Sequence, residues 1–112
     1  MKISKMNAEH YTWGDNCDGW HLVNTPELSI IHERMPPGSA EELHYHNQAR
    51  QFFFVLSGSA TFKMDGKTVD IGAQEGIEVP PLVPHQILNQ TNTDIEFVVT
   101  SQPNSRGDRV LV

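Results

Sequence analysis

The chain has 112 residues, 38% of them hydrophobic, enough for one core and too few for two, since halves of about 55 residues would each be marginal without staples. Fourteen acidic residues against eight basic ones give a net charge of −6, and no Lys/Arg cluster exceeds isolated pairs such as Lys63 and Lys67, so a nucleic-acid partner is not expected. The single Cys17 cannot close an internal disulfide and fits a reducing compartment; with no signal-peptide stretch behind Lys2 and Lys5 and no run of roughly 20 apolar residues, the expectation is a cytoplasmic single domain, 1–112, with no membrane contact.

Residues 1–19 are expected as an N-terminal arm and loop. Met1 to His10 is polar and without period, an arm or an added edge strand. Tyr11 to Trp20 reads as a turn-rich loop, with Gly14, Gly19 and the Asp/Asn residues supplying turn conformations and Trp13 and Trp20 anchoring it on the core. Cys17 between them has no cation beside it in sequence to lower its pKa, and is expected as an unreactive, partly buried thiol.

Trp20–Asn24 and Leu28–Met35 are predicted strands around a Thr25-Pro26-Glu27 turn, and Pro36-Pro37-Gly38 ends the second. The run Gln51–Leu56 alternates Gln51, Phe53 and Val55 on one face with Phe52, Phe54 and Leu56 on the other. Both faces are apolar beyond Gln51, so the outer one should be covered by a second sheet, the N-terminal arm or a partner subunit. Ser59–Met64 and Lys67–Ile71 flank Asp65-Gly66, a strong hairpin signal. Gly76–Val79, His85–Asn89 and Ile95–Thr100 complete the predicted strands, and 101–112 reads as a polar tail. No window carries helical periodicity with caps, so the fold class is all-β, a barrel or sandwich.

Six histidines are the larger compositional deviation. His44 and His46, two apart, share one face of a strand. Gln51 offers an amide oxygen at the start of the next strand, and His85, after the proline corner at Pro84, is the natural third imidazole. Imidazoles converging from separate elements are what zinc and first-row transition metals favour.

These residues resemble the cupin superfamily, small β-barrels of the double-stranded jelly-roll type. The family's first motif, G-x5-H-x-H-x(3,4)-E-x6-G, is similar to Gly38 through Gly58, with Gln51 in place of the acidic residue. The second, G-x5-P-x-G-x2-H-x3-N, is similar to Gln74 through Asn89: Pro80, His85 and Asn89 match, while Gln74 and Leu82 stand where glycines are usual. The resemblance implies a divalent transition metal (Fe, Mn, Ni or Zn) held by His44, His46 and His85, with Gln51 as an optional fourth ligand. An amide leaves the full metal charge in place and cannot act as a general base, which favours an anionic ligand.

The functional expectation is a metal-binding cupin, an enzyme of dioxygenase or isomerase type acting on a small oxygen-rich molecule. Its alternative is a non-catalytic module that binds a sugar or an acid, kept open because no general base beside the metal is evident in the sequence. A third reading keeps the histidines as barrel architecture with an empty site. The expected pocket lining is Met35, Phe53, Ile87 and Phe97, with Gln86 as a polar contact, and a homodimer is expected through the N-terminal region or the outer face of Gln51–Leu56. Arg106-Gly107-Asp108 reads as a solvated loop, with an Asp108–Arg109 ion pair pinning the tail.

Overall fold

The structure, a computed structural model, describes residues 1–112. It contains eleven strands and no helix: β1 (Glu9–Trp13), β2 (Cys17–Thr25), β3 (Leu28–Met35), β4 (His44–His46), β5 (Arg50–Ser57), β6 (Ala60–Met64), β7 (Lys67–Ile71), β8 (Gly76–Val79), β9 (His85–Leu88), β10 (Ile95–Gln102) and β11 (Arg109–Leu111). Their order is β1-β2-β3-β10-β5-β8 in one sheet and β11-β4-β9-β6-β7 in the other, all antiparallel, which makes a jelly-roll barrel. No helix is long and apolar enough to cross a membrane.

The core lies between the sheets, where period-2 alternation sends Phe53, Val55, Phe97 and Val99 inward to meet Phe62 and Ile87. Gly58, which closes the first motif, sits at φ 82° with its Cα packed so closely on Asp94 O that a Cβ would come within 2.6 Å. No other residue fits there.

Three expectations change. In place of an arm and a long loop, residues 1–19 hold β1, an edge strand as one of the two readings had it, and the start of β2, which forms a hairpin with it, Trp13 opposite Cys17. The Asp/Asn cluster that suggested a long loop makes only its turn, with Asn16 at φ 61°, and Cys17 is fully buried. Residues 101–112 are not a free tail. Ser101 is buried inside β10, the Asn104 amide donates to Asn24 Oδ1 and Thr25 O at 2.9 and 3.0 Å, and β11 pairs with β4. Finally, the outer face of β5 is left open by both the second sheet and the N-terminal segment, since Phe52 is 45% exposed, its ring lying over Gly76 and beside Phe54, 6.3 Å between ring centres.

Candidate metal centre

His44 and His46 project inward from β4, and His85 from β9 stands directly opposite His44 in the ladder. All three are buried, 3%, 5% and 0% exposed, and their ligand atoms lie within 4.8 Å of one another. Local backbone sets the ring tautomers. His44 Nδ1 donates to Glu42 O at 2.7 Å and His85 Nδ1 to Val83 O at 2.9 Å, which leaves each Nε2 as a lone pair facing the barrel interior. Burial lowers the pKa of all three, that of His44 to about 4, so they are neutral ligands at ordinary pH.

Gln51 reaches the same point from the opposite sheet. Its Nε2 donates to Ser101 Oγ at 3.0 Å, and its Oε1 lies 3.1 Å from His85 Nε2. Neither of those two atoms carries a proton, so the contact sets one lone pair against another. Turning the amide over would satisfy His85 alone. A cation between them satisfies both, and can also take the lone-pair nitrogen of His46, whose ring is buried with no hydrogen-bond partner. The residues present therefore fit a divalent metal.

Of the expected pocket residues, Phe53 lines the cavity over the histidines, together with Gln51, His44 and His46. Met35, Ile87 and Phe97 are instead fully packed core, because their strands turn them toward the closed end of the barrel. Gln86 faces away, donating to Glu41 O at 2.8 Å beside a separate groove at the Asp65-Gly66 hairpin.

The groups missed in the sequence are Tyr11, Glu33, Glu41 and Arg109, which line the histidine cavity of about 170 Å³ and also a neighbouring compartment of about 280 Å³. Tyr11, Gly19 and Glu33 are aligned across β1, β2 and β3. A Cβ at Gly19 would collide with the Tyr11 ring, so glycine lets the phenol cross β2 and donate to Glu33 Oε1 at 3.1 Å. Burial pushes the Glu33 carboxyl up to about 7; burial and then the charge of Glu33 push Glu41 up to about 8. Burial and Glu33 together keep the Tyr11 phenol protonated. Titratable groups therefore line the cavity beside the histidines, where none was evident in the sequence. The available signal was the inward parity of Glu33 on a strand ending at Met35.

The C-terminal segment frames the site. The Asp108 carboxylate accepts from the backbone N–H of Asn47, Gln48 and Ala49 at 3.1, 2.9 and 2.9 Å, so Asp108 clamps the turn between His46 and Gln51 rather than sitting in a solvated loop. It forms no ion pair with Arg109, which instead lines the cavity, where its charge bears on Glu33 and Glu41.

Such a barrel, with inward imidazoles from two strands of one sheet and a carboxamide from the other, defines a jelly-roll protein able to hold a metal. Residues 31–101 match the cupin domain, and the chain belongs to that family. It is 35% identical over 65 residues to an oxalate-binding protein of Thermotoga maritima, a match covering 58% of this chain and 54% of the relative. Across the curated relatives, the matched part is 33% to 60% of their length. Among solved structures, a predicted oxalate decarboxylase from Thermotoga maritima superposes with a TM-score of 0.82 at 24% identity, covering 93% of this chain and 100% of the other. The polyketide cyclase RemF from Streptomyces resistomycificus gives 0.84 at 16% identity, covering 100% and 84%. At these identities the likeness is one of fold.

Proposed function

We propose that the chain binds a divalent transition metal through His44, His46, His85 and Gln51 Oε1, and that it is an enzyme acting on a small oxygen-rich molecule. The observation that carries this reading is the convergence of buried, neutral donors: His46 with no partner on either nitrogen and His85 Nε2 facing Gln51 Oε1 at 3.1 Å. A bound metal would supply Lewis acidity and a place for substrate oxygens. The chain's own groups orient and exclude: Phe53 walls the inner end, Arg109 offers a cation at the mouth, and Tyr11, Glu33 and Glu41 face the space between. With titratable groups there, chemistry of isomerase type is favoured over dioxygenase chemistry.

The test is metal analysis of purified protein with activity assays on acids, sugars and O2. His44→Ala and His85→Ala should each abolish tight metal binding while the β-sheet circular dichroism persists. Retained metal in those variants would sink the assignment. A second reading, a non-catalytic module that binds a small acid, is favoured by the relative named as an oxalate-binding protein; stoichiometric metal and tight acid binding without turnover would select it. For assembly we propose a homodimer through the open outer face of β5 around Phe52 and Phe54, where 45% of Phe52 remains exposed.

A further inference from the structure

The cavity carries two carboxyl groups that form no ion pair, and the one cation beside them, Arg109, lowers both too little to offset their burial. Glu33 Oε1 accepts from Tyr11 and Glu41 Oε1 from the Ile87 N–H at 3.2 Å; neither forms an ion pair or a hydrogen bond to a histidine. They come from separate segments, β3 and the stretch before β4, yet both line the cavity that His46 shares. His46 is 5% exposed, with both ring nitrogens unpartnered, so the same space holds an independent sign of a missing ligand. An anion entering to complete a metal's coordination must approach these carboxylates, and two negative charges converging in a narrow cavity repel strongly unless one is neutralised.

We propose that Glu33 and Glu41 form the proton-exchanging pair of the site: on entry of an anionic oxygen chelator, one carboxylate takes up a proton from solvent and donates it in a hydrogen bond to the chelator's outer oxygen. This rests on the metal reading above. The balance is simple, with one proton leaving water for a carboxylate oxygen and no bond of the ligand broken. The other charged and titratable groups facing the pair do not replace it in this role. Tyr11 on β1 stays protonated, Arg109 on β11 is a donor with no acceptor atom, Cys17 on β2 is buried with its thiol pushed up by burial, and His44, His46 and His85 on β4 and β9 would be committed to the metal. Glu42 lines only the outer compartment. The raised carboxyls, about 7 and about 8, place the uptake near neutrality. The selected ligand class is a small chelating anion whose outer oxygen accepts a hydrogen bond.

The experiment is titration calorimetry of nickel-loaded protein with oxalate, in two buffers of different ionisation enthalpy. At about pH 8 or above, uptake should approach one proton per oxalate, and oxalate affinity should weaken about tenfold per pH unit. In Glu33→Gln/Glu41→Gln the uptake should vanish and the affinity become flat with pH, while nickel stoichiometry is unchanged. Should that double variant not fold, infrared difference spectra of the native protein with ¹³C-labelled oxalate supply the check: a protonated-carboxyl band of the protein should appear on binding and be lost in Glu41→Gln or Glu33→Gln. Oxalate bound without proton uptake, uptake that persists in the double variant, no such band, or loaded protein that ignores oxalate overturns the proposal. A chain that takes up no nickel fails at the earlier metal titration, which overturns the metal reading and this proposal with it.

Discussion

At the scale of single residues, the proposed chemistry rests on Gln51 and the cavity carboxyls. Gln51→Glu replaces a neutral oxygen donor with a charged one at the same reach, so metal retention against a chelator should increase about tenfold or more; unchanged retention would show that position 51 does not touch the metal. The titratable groups also make metal-free stability depend on pH in two opposed ways. His44 is lowered from 6.5 to about 4, so between those values the unfolded chain binds more protons and stability rises with pH, by roughly 3 kcal/mol at most. Glu33 and Glu41 are raised from 4.5 to about 7 and about 8. There the folded chain binds more protons, and stability falls as pH climbs from 4.5 through those values. Above pH 6.5 only the carboxyl effect remains, so thermal melts of the metal-free protein should fall from about pH 6.5 to pH 8, and Glu33→Gln/Glu41→Gln should flatten that fall.

At the scale of elements, the turns around the site keep a conformation that their residues resist. Gln74 and Leu82 occupy motif positions where glycine is usual, and both retain left-handed backbone, φ 66° and 72°. Leu82 N–H donates to His46 O at 2.7 Å, so the tight turn is held for the sake of the β4 strand. The Leu82 side chain is 62% exposed and contributes little packing. Leu82→Gly should stabilise the protein by about 1 kcal/mol, read as a higher melting temperature with metal binding unchanged. Asp108→Ala removes the acceptor for three N–H groups in the turn between His46 and Gln51. Burial alone would raise the Asp108 carboxyl, but those donors outweigh it and hold it below the usual range. Its loss should cost about 1–3 kcal/mol in chemical denaturation and weaken metal binding. The hairpin at Asp65-Gly66, the proline corners and the His-x-His strand were legible because each is a local signal. The Asp108 clamp was not, because it joins positions about sixty apart and a sequence-local reading assigns Arg-Gly-Asp to solvent. Nor was the Tyr11–Glu33 pair, which depends on Gly19 being the residue between them in the sheet.

At the scale of the whole molecule, the fold class and the convergence of His44, His46 and His85 were readable from spacing, whereas the closed end of the barrel was misjudged. Met35, Ile87 and Phe97 have the right parity to face inward, but parity does not say how far along the barrel a residue lies. The open β5 face has a consequence for assembly. Phe52→Glu should shift the proposed homodimer to monomer in size-exclusion chromatography while leaving the melting profile at high dilution unchanged; a native chain that elutes as a monomer at every concentration would rule the dimer out. The donors of the proposed site are divided between layers, with His44, His46 and His85 on one sheet and Gln51 on the other. A cation held by all four is then a rivet through the sandwich. Loading it stiffens the barrel, and the gap between the sheets acts as a gauge that favours ions whose bond lengths bridge it without bending either layer.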